Sequence, residues 1–289
     1  MINNSELLSR FSTGVDNQVF LGQNEGGYFV LKVYTKRTMA EVEHIARTNR
    51  AATHMGFPVP KVLRVGTTEG RPWMKLNYIQ GSHFHFPTIE QLSEVAKVMA
   101  RLHSVPPPRH LLRLTSSSSL WRQLLVHVPA RPAELLSEVL SRAEENIIGT
   151  LPVGFVHGDV SQTNLLFDQV GLRGLLDFDH SGIAPVVIDL ARASIFFSFD
   201  EHRAFDANRD SVFLDAYQSV RRLSAAERIA LPEFRKVLLI RMIVEMFYYV
   251  HVAKTVPVST LRASPMNPTL EGLVGKLENV ASRHIEWTL

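Results

Sequence analysis

Residues 153–178 constrain this chain more than any other stretch. Val153 to Val156 is apolar and partly β-branched, and reads as a strand that delivers His157-Gly158-Asp159 to a polar loop. Leu165-Leu166-Phe167, a polar turn at Asp168 to Gly171, and Gly174-Leu175-Leu176 then read as a short antiparallel hairpin that runs on into Asp177-Phe178. With the turn centred between Val170 and Gly171, Leu165 pairs with Leu176 and Asn164 falls opposite Asp177. Directly opposed residues of such a pair lie about 4.5–5.5 Å apart at Cα. Two oxygen donors then meet at the open end of one hairpin. That suits magnesium, which takes few protein ligands and completes its octahedron with water and phosphate oxygens. Asp159, upstream, is left to accept the proton of a substrate hydroxyl. The expected chemistry is phosphate transfer, with ATP and magnesium as cofactors, Asp159 as catalytic base, and Asn164 and Asp177 as metal ligands.

Each residue alone has a plainer reading: Asp159 as a turn cap, Asn164 as a loop residue, Asp177 as a strand end. The apolar strands at the right intervals are what set the combination apart from chance. Composition is compatible without forcing it. The 289 residues, 45% of them hydrophobic, exceed the usual single-domain size and can bury a sizeable core, so two lobes around a cleft are expected: residues 1–80 for nucleotide and 81–289 for catalysis and substrate. A net charge of +3 is small for this length, and no basic run carries interleaved aromatics, so nucleic acid is not an expected partner. The most apolar stretch, Val237 to Val250, is interrupted by Arg241 and Glu245 and reads as a buried helix rather than a membrane span. Met1 to Glu6 shows no basic region ahead of an apolar core, so no secretory signal is expected. Zero cysteines excludes disulfides, thiolate metal sites and cysteine nucleophiles. A cytoplasmic enzyme is expected, of unknown oligomeric state.

The first eighty residues are strand-rich. Gln18 to Leu21 and Tyr28 to Tyr34 are β-like segments joined by the turn-forming Asn24-Glu25-Gly26-Gly27. In the second, Phe29, Leu31 and Val33 share one face while Val30, Lys32 and Tyr34 share the other, so Lys32 stands among apolar neighbours in mid-strand. A lone strand lysine is by default exposed; the glycine turn before it and an acidic helix after it favour a cation for the triphosphate. That helix is expected from about Thr38 to Thr53 with Met39, Val42, Ile45 and Ala46 as its apolar stripe. Glu41 and Glu43 are both candidates to pair with Lys32, and the spacing to Pro58-Val59-Pro60 favours Glu43. Ser12 to Asn17 is a candidate phosphate-covering turn in which Gly14 allows close backbone approach. Met74 to Ile79 is a further strand, ending at Gln80-Gly81, where the lobes are expected to join. Beyond it, Thr88 with Gln91 matches a capping box, and Leu92, Val95, Ala96, Met99 and Leu102 recur at helical spacing.

These motifs together resemble those of the aminoglycoside phosphotransferase and choline kinase-like small-molecule kinases. The resemblance is carried by Val30-Leu31-Lys32-Val33-Tyr34, Phe57 to Val62, Met99-Ala100-Arg101-Leu102-His103, His157 to Phe167, Leu175-Leu176-Asp177-Phe178 and Val187-Ile188-Asp189-Leu190-Ala191. It implies an α+β, two-lobed protein-kinase-like fold, with a small strand-rich first lobe and a larger, mainly helical second one. It implies Asp159 as base, Asn164 and Asp177 as magnesium ligands, and Lys32 as phosphate anchor. In such a fold the backbone joining the lobes reads adenine, which points to Asn77, Tyr78 and Ile79. Asp189 matches a structural aspartate that ties the catalytic loop to a helix, and His157 a packed scaffold histidine.

Two departures from protein kinases bear on the acceptor. Gly158 replaces the arginine that in many of them pairs with a phosphorylated activation loop, and eleven residues between Asp177 and Asp189 are too few for a peptide-docking segment. A hydroxyl-bearing small molecule is therefore the expected substrate: an amino alcohol, a homoserine-like compound or an antibiotic. A protein kinase or a catalytically silent nucleotide-binding module is the alternative. Asp179, two residues past the metal ligand, is the best-placed candidate to touch the acceptor. Phe196, Phe197, Phe199, Asp200, Glu201, Glu245, Phe247, Tyr248 and Tyr249 could form an aromatic and acidic pocket for an ammonium group, although aromatics at helical spacing are more often core. Leu214 to Arg228 resembles the same region of homoserine kinases, and Ser224 with Glu227 forms a capping box there.

Overall fold

The computed structural model describes residues 7–13, 17–84, 86–106, 122–147, 150–200, 204–256 and 269–282. They divide into two compact units. The first holds the chain up to His83 together with Asn164–Ser181, and the second the rest from Phe84. A division into two continuous stretches at residue 80 had no place for this insertion: the hairpin after Asn164 bonds to the first unit far away in sequence, Phe167 N donating to Ser82 O at 2.9 Å and Leu175 N to Pro58 O at 2.6 Å.

The first unit is built on an antiparallel sheet in the order β1-β2-β3-β5-β4, from β1 (Leu7–Thr13), β2 (Asn17–Asn24), β3 (Gly27–Tyr34), β4 (Val62–Thr68) and β5 (Arg71–Asn77). The β2–β3 hairpin closes where expected, with Asn24 opposite Gly27, the Asn24 side chain accepting from Gly26 N at 3.0 Å, and Gly27 at φ 101°. Period-two alternation in β3 gives the sheet two apolar faces. Phe29 and Leu31 pack with Trp73 on one; Tyr34 packs with Met74 and the Val42-Ile45-Ala46 stripe of α1 (Met39–His54) on the other. Lys32 stands on that second face and is buried.

The inserted hairpin is β7 (Leu165–Phe167) with β8 (Leu172–Leu175). Asp168 makes its turn, the carboxylate accepting from Val170 N at 2.8 Å and Gly171 N at 3.2 Å while Asp168 N donates to Gly171 O. This turn, with an irregularity between Leu166 and Phe167, moves the register by one residue from the expected one: Leu165 faces Leu175, and Asn164 O accepts from Leu176 N at 2.8 Å. Asp177 thus lies one residue beyond the pairing with Asn164, not opposite it.

In the second unit β6 (Val153–Val156) pairs antiparallel with β9 (Gly182–Pro185). The helices are α2 (Ile89–Ser104), α3 (Ala130–Asn146), α4 (Val186–Phe197), α5 (Ala207–Gln218), α6 (Ala225–Phe247) and α7 (Leu270–Ala281). Both expected capping boxes form: Thr88 with Gln91 starts α2 and Ser224 with Glu227 starts α6. The apolar faces of α2 and α5 meet, and α6 packs against α3, α4 and α7. Among the described residues no helix is long and apolar enough to cross a membrane.

Candidate active site

The strand β6 ends in a loop whose backbone is held by one buried carboxylate. Asp189, in the first turn of α4, accepts from His157 N at 2.8 Å and Gly158 N at 2.9 Å, and contacts His103 Nε2 at 3.2 Å. His103 in turn reaches the Tyr217 hydroxyl at 2.7 Å, joining α2 to α5. Burial alone would push the Asp189 carboxyl up, but the His103 hydrogen bond, the charges of His103 and His157, and the His157 N–H hold it below the usual carboxylate range. Gly158 sits at φ 84°, left-handed backbone that a side chain would strain. The fully buried His157 ring accepts from Asp159 N at 3.2 Å through Nδ1. His157 is a scaffold residue, as its motif implied.

Asp159 emerges from this loop half-buried. Arg192, one turn along α4 from Asp189, donates to its Oδ1 from Nε at 3.0 Å and Nη2 at 2.5 Å. Sequence reasoning missed Arg192; its position three residues after Asp189, on the same helical face, was the available signal. Gln162 donates to Phe196 O at 2.7 Å, pinning the following turn to the same helix.

The charged cluster of the first unit is arranged differently. Lys32 Nζ lies 2.8 Å from both Asp177 Oδ1 and Asp179 Oδ1, with side-chain exposures of 9% for Lys32, 36% for Asp177 and 4% for Asp179. Burial alone would depress the Lys32 ammonium, but the two carboxylates outweigh it and hold its pKa above the usual value. Asp177 adopts left-handed backbone, φ 63° and ψ 71°, with its side chain accepting from Asp179 N at 3.3 Å. A non-glycine residue there is strained, and such strain concentrates at functional positions. Asp179 is tied further by Asn17 Nδ2 at 3.0 Å, the Tyr34 hydroxyl at 3.2 Å and Arg37 Nη2 on its carbonyl at 3.3 Å.

Two expectations change. Glu43 is exposed on α1 and the ion partners of Lys32 are Asp177 and Asp179, because the buried stripe turns Glu41 and Glu43 outward; Glu41 instead caps the helix, taking Thr38 N at 2.7 Å. Asp179 does not present itself to an acceptor, since both its oxygens are engaged inside the first unit. Phe197, Phe199 and Phe247 are core, the plainer reading of aromatics at helical spacing, and Glu245 pairs with Arg241 at 2.9 Å. Of the segment expected to meet adenine, Asn77 N donates to Lys61 O at 3.0 Å, its side chain accepts from Lys61 N, and Tyr78 N donates to Tyr28 O at 3.4 Å. Ile79 packs over Gly174, its Cδ1 3.4 Å from where a Cβ there would sit. Gly14 and Glu201 lie outside the described residues.

The fold is protein-kinase-like and α+β. Aminoglycoside phosphotransferase from Alicyclobacillus acidocaldarius superposes with a TM-score of 0.67 at 17% identity over 98% of this chain and 95% of that one. Choline kinase from Cryptosporidium parvum gives 0.66 at 16% over 97% and 90%. In sequence, a homoserine kinase of Beijerinckia indica is 27% identical over 251 residues, 80% of this chain and 77% of its own length. Residues 8–223 match the model of the phosphotransferase enzyme family, and the chain belongs to that family. It is a small-molecule phosphotransferase with a hydroxyl group as acceptor.

Proposed function

We propose that this enzyme transfers the γ-phosphoryl group of ATP to the side-chain hydroxyl of a small amino acid alcohol, with homoserine the acceptor best supported. The observation that carries the nucleotide half is the buried Lys32 held 2.8 Å from Asp177, a cation fixed beside a carboxylate of the metal-binding type. The acceptor half is supported by relatives named homoserine kinase at 27–29% identity, which align over most of their length.

Asn164 and Asp177 fit magnesium by donor chemistry: a carboxamide and a half-open carboxylate, both hard oxygen donors, flanking the Leu176 pairing. Bound magnesium would offset charge on the phosphate oxygens. Lys32 adds a fixed positive charge for the same oxygens. Ile79 is the adenine-contacting residue of its segment, because the backbone N–H groups of Asn77 and Tyr78 are already spent within the first unit. Asp159 takes the hydroxyl proton as the oxygen attacks phosphorus and the bond to the ADP oxygen breaks, and Arg192 fixes the orientation of its carboxylate. The reaction belongs in the cytoplasm, where ATP is supplied.

The test is a coupled ADP-release screen against homoserine, choline, ethanolamine, methylthioribose, aminoglycosides and macrolides. Homoserine is expected to give the highest kcat/KM, by about tenfold or more. Preference for an antibiotic would overturn the acceptor assignment, and turnover that survives magnesium chelation would overturn the metal assignment.

A further inference from the structure

We propose, building on the ATP reading, that Asp179 is the residue that positions Lys32 for the triphosphate, in place of a glutamate on α1. A strand lysine meets phosphate in a defined place only if a fixed anion holds its flexible stem extended. The helix acids do not supply that anion. Glu41 spends its carboxylate on the Thr38 backbone and hydroxyl at 2.7 and 2.8 Å, and Glu43 lies on the exposed flank of α1.

Asp179 has what the role requires. Its carboxylate is almost wholly buried, and one oxygen sits 2.8 Å from Lys32 Nζ. The same oxygen accepts from the Tyr34 hydroxyl, two residues along the strand from Lys32, and the other accepts from Asn17 at the start of β2. Arg37 Nε stands 3.9 Å away on the far side. Asp179 is therefore anchored to the lysine's own strand and to its neighbour β2, and the Lys32 ammonium rests 5.3 Å from the Tyr34 ring centre. Asp177 also touches Lys32 but is the more open of the two carboxylates and has its own assignment to the metal. When Asp177 turns to that task, Asp179 remains to hold the lysine. The spacing Asp177-Phe178-Asp179, with a left-handed residue at its head, brings both carboxylates to one amine.

The test compares Asp179→Asn with Glu41→Gln and Glu43→Gln in the full-length protein, using steady-state kinetics and acetic anhydride labelling of Lys32 read by peptide mapping. Asp179→Asn is expected to raise KM for magnesium-ATP about tenfold while KM for the acceptor changes by less than about twofold, and to speed Lys32 acetylation about fivefold. The glutamine variants are expected to stay within about twofold of wild type on both measures. An unchanged KM for ATP in Asp179→Asn, or an equal loss in Glu43→Gln, would overturn the proposal. Should Asp179→Asn not fold, Tyr34→Phe removes one anchor while keeping the charge, and is expected to speed acetylation about twofold; no change in that rate counts against the proposal. If the wild type consumes no ATP with any acceptor, the ATP reading falls, and the acetylation rates still decide whether Asp179 holds Lys32.

Discussion

The loop after β6 and the cluster around Lys32 each hold an aspartate in place, by opposite means. Around Asp159 the scaffold is backbone: a buried carboxylate, Asp189, accepts two successive N–H groups and leaves the loop no freedom. Around Asp177 the scaffold is charge: a buried ammonium is shared by two carboxylates whose partners lie on strands about 145 residues earlier. In the proposed reaction, backbone anchoring sets where the proton acceptor stands and charge anchoring holds a cation for the phosphates, with one carboxylate remaining at Lys32 when the other is lost.

The largest effect is expected from removing the two functional carboxylates themselves. Asp159→Ala should lower kcat by about 10³-fold, in the range of a lost general base, and Asp177→Ala should lose turnover entirely. Thermal unfolding is expected to separate neither variant far from wild type, because Asp179 still pairs Lys32 and Asp159 is half-exposed. Retained turnover in Asp177→Ala would break the comparison at its charge-anchored end.

Next in size is Asp189→Ala, which leaves the N–H groups of His157 and Gly158 without their acceptor in a buried loop. A loss of about 2–6 kcal/mol is expected by urea unfolding, at 1–3 kcal/mol for each of the two stranded groups, together with lost activity. A variant that keeps wild-type stability would show that the loop is held by something other than Asp189.

The smallest effect is a pH dependence. The folded Asp189 pKa lies below its unfolded value, near 3.9 for a free aspartate, so its contribution to stability is complete above about pH 4 and is lost as pH falls through the folded pKa. Acid unfolding curves should be shallower for Asp189→Asn than for wild type. Equal slopes would mean that Asp189 does not carry the acid sensitivity.

Features with a short range in the chain were legible before the structure. Alternation in β3 put Lys32 on the face with Tyr34, the turn at Asn24 to Gly27 closed as expected, and capping boxes at Thr88 and Ser224 formed because their donors and acceptors lie three residues apart. The strand and loop around Asp159 were equally readable from the residue pattern, and the structural place of Asp189 from the resemblance to the small-molecule kinases. The hairpin register was not, because a single Asx turn at Asp168 and one irregular pair shift every later residue by one. Glu43 was chosen as a partner by spacing alone, which does not say which flank of a helix turns outward. Arg192 carried only the hint of its place in the turn after Asp189.

By itself the sequence determined the residue types of the site and the strands and helices that bear them, since period, caps and turn residues act within a few positions, and its resemblance to the small-molecule kinases implied the protein-kinase-like class of fold. Only tertiary structure decided the partners of the charges: that Lys32 meets Asp177 and Asp179, that Asp179 is spent on Asn17 and Tyr34, and that Arg192 meets Asp159. A buried charge takes whichever opposite charge packing brings within about 3 Å, and packing joins residues that sequence separation cannot rank.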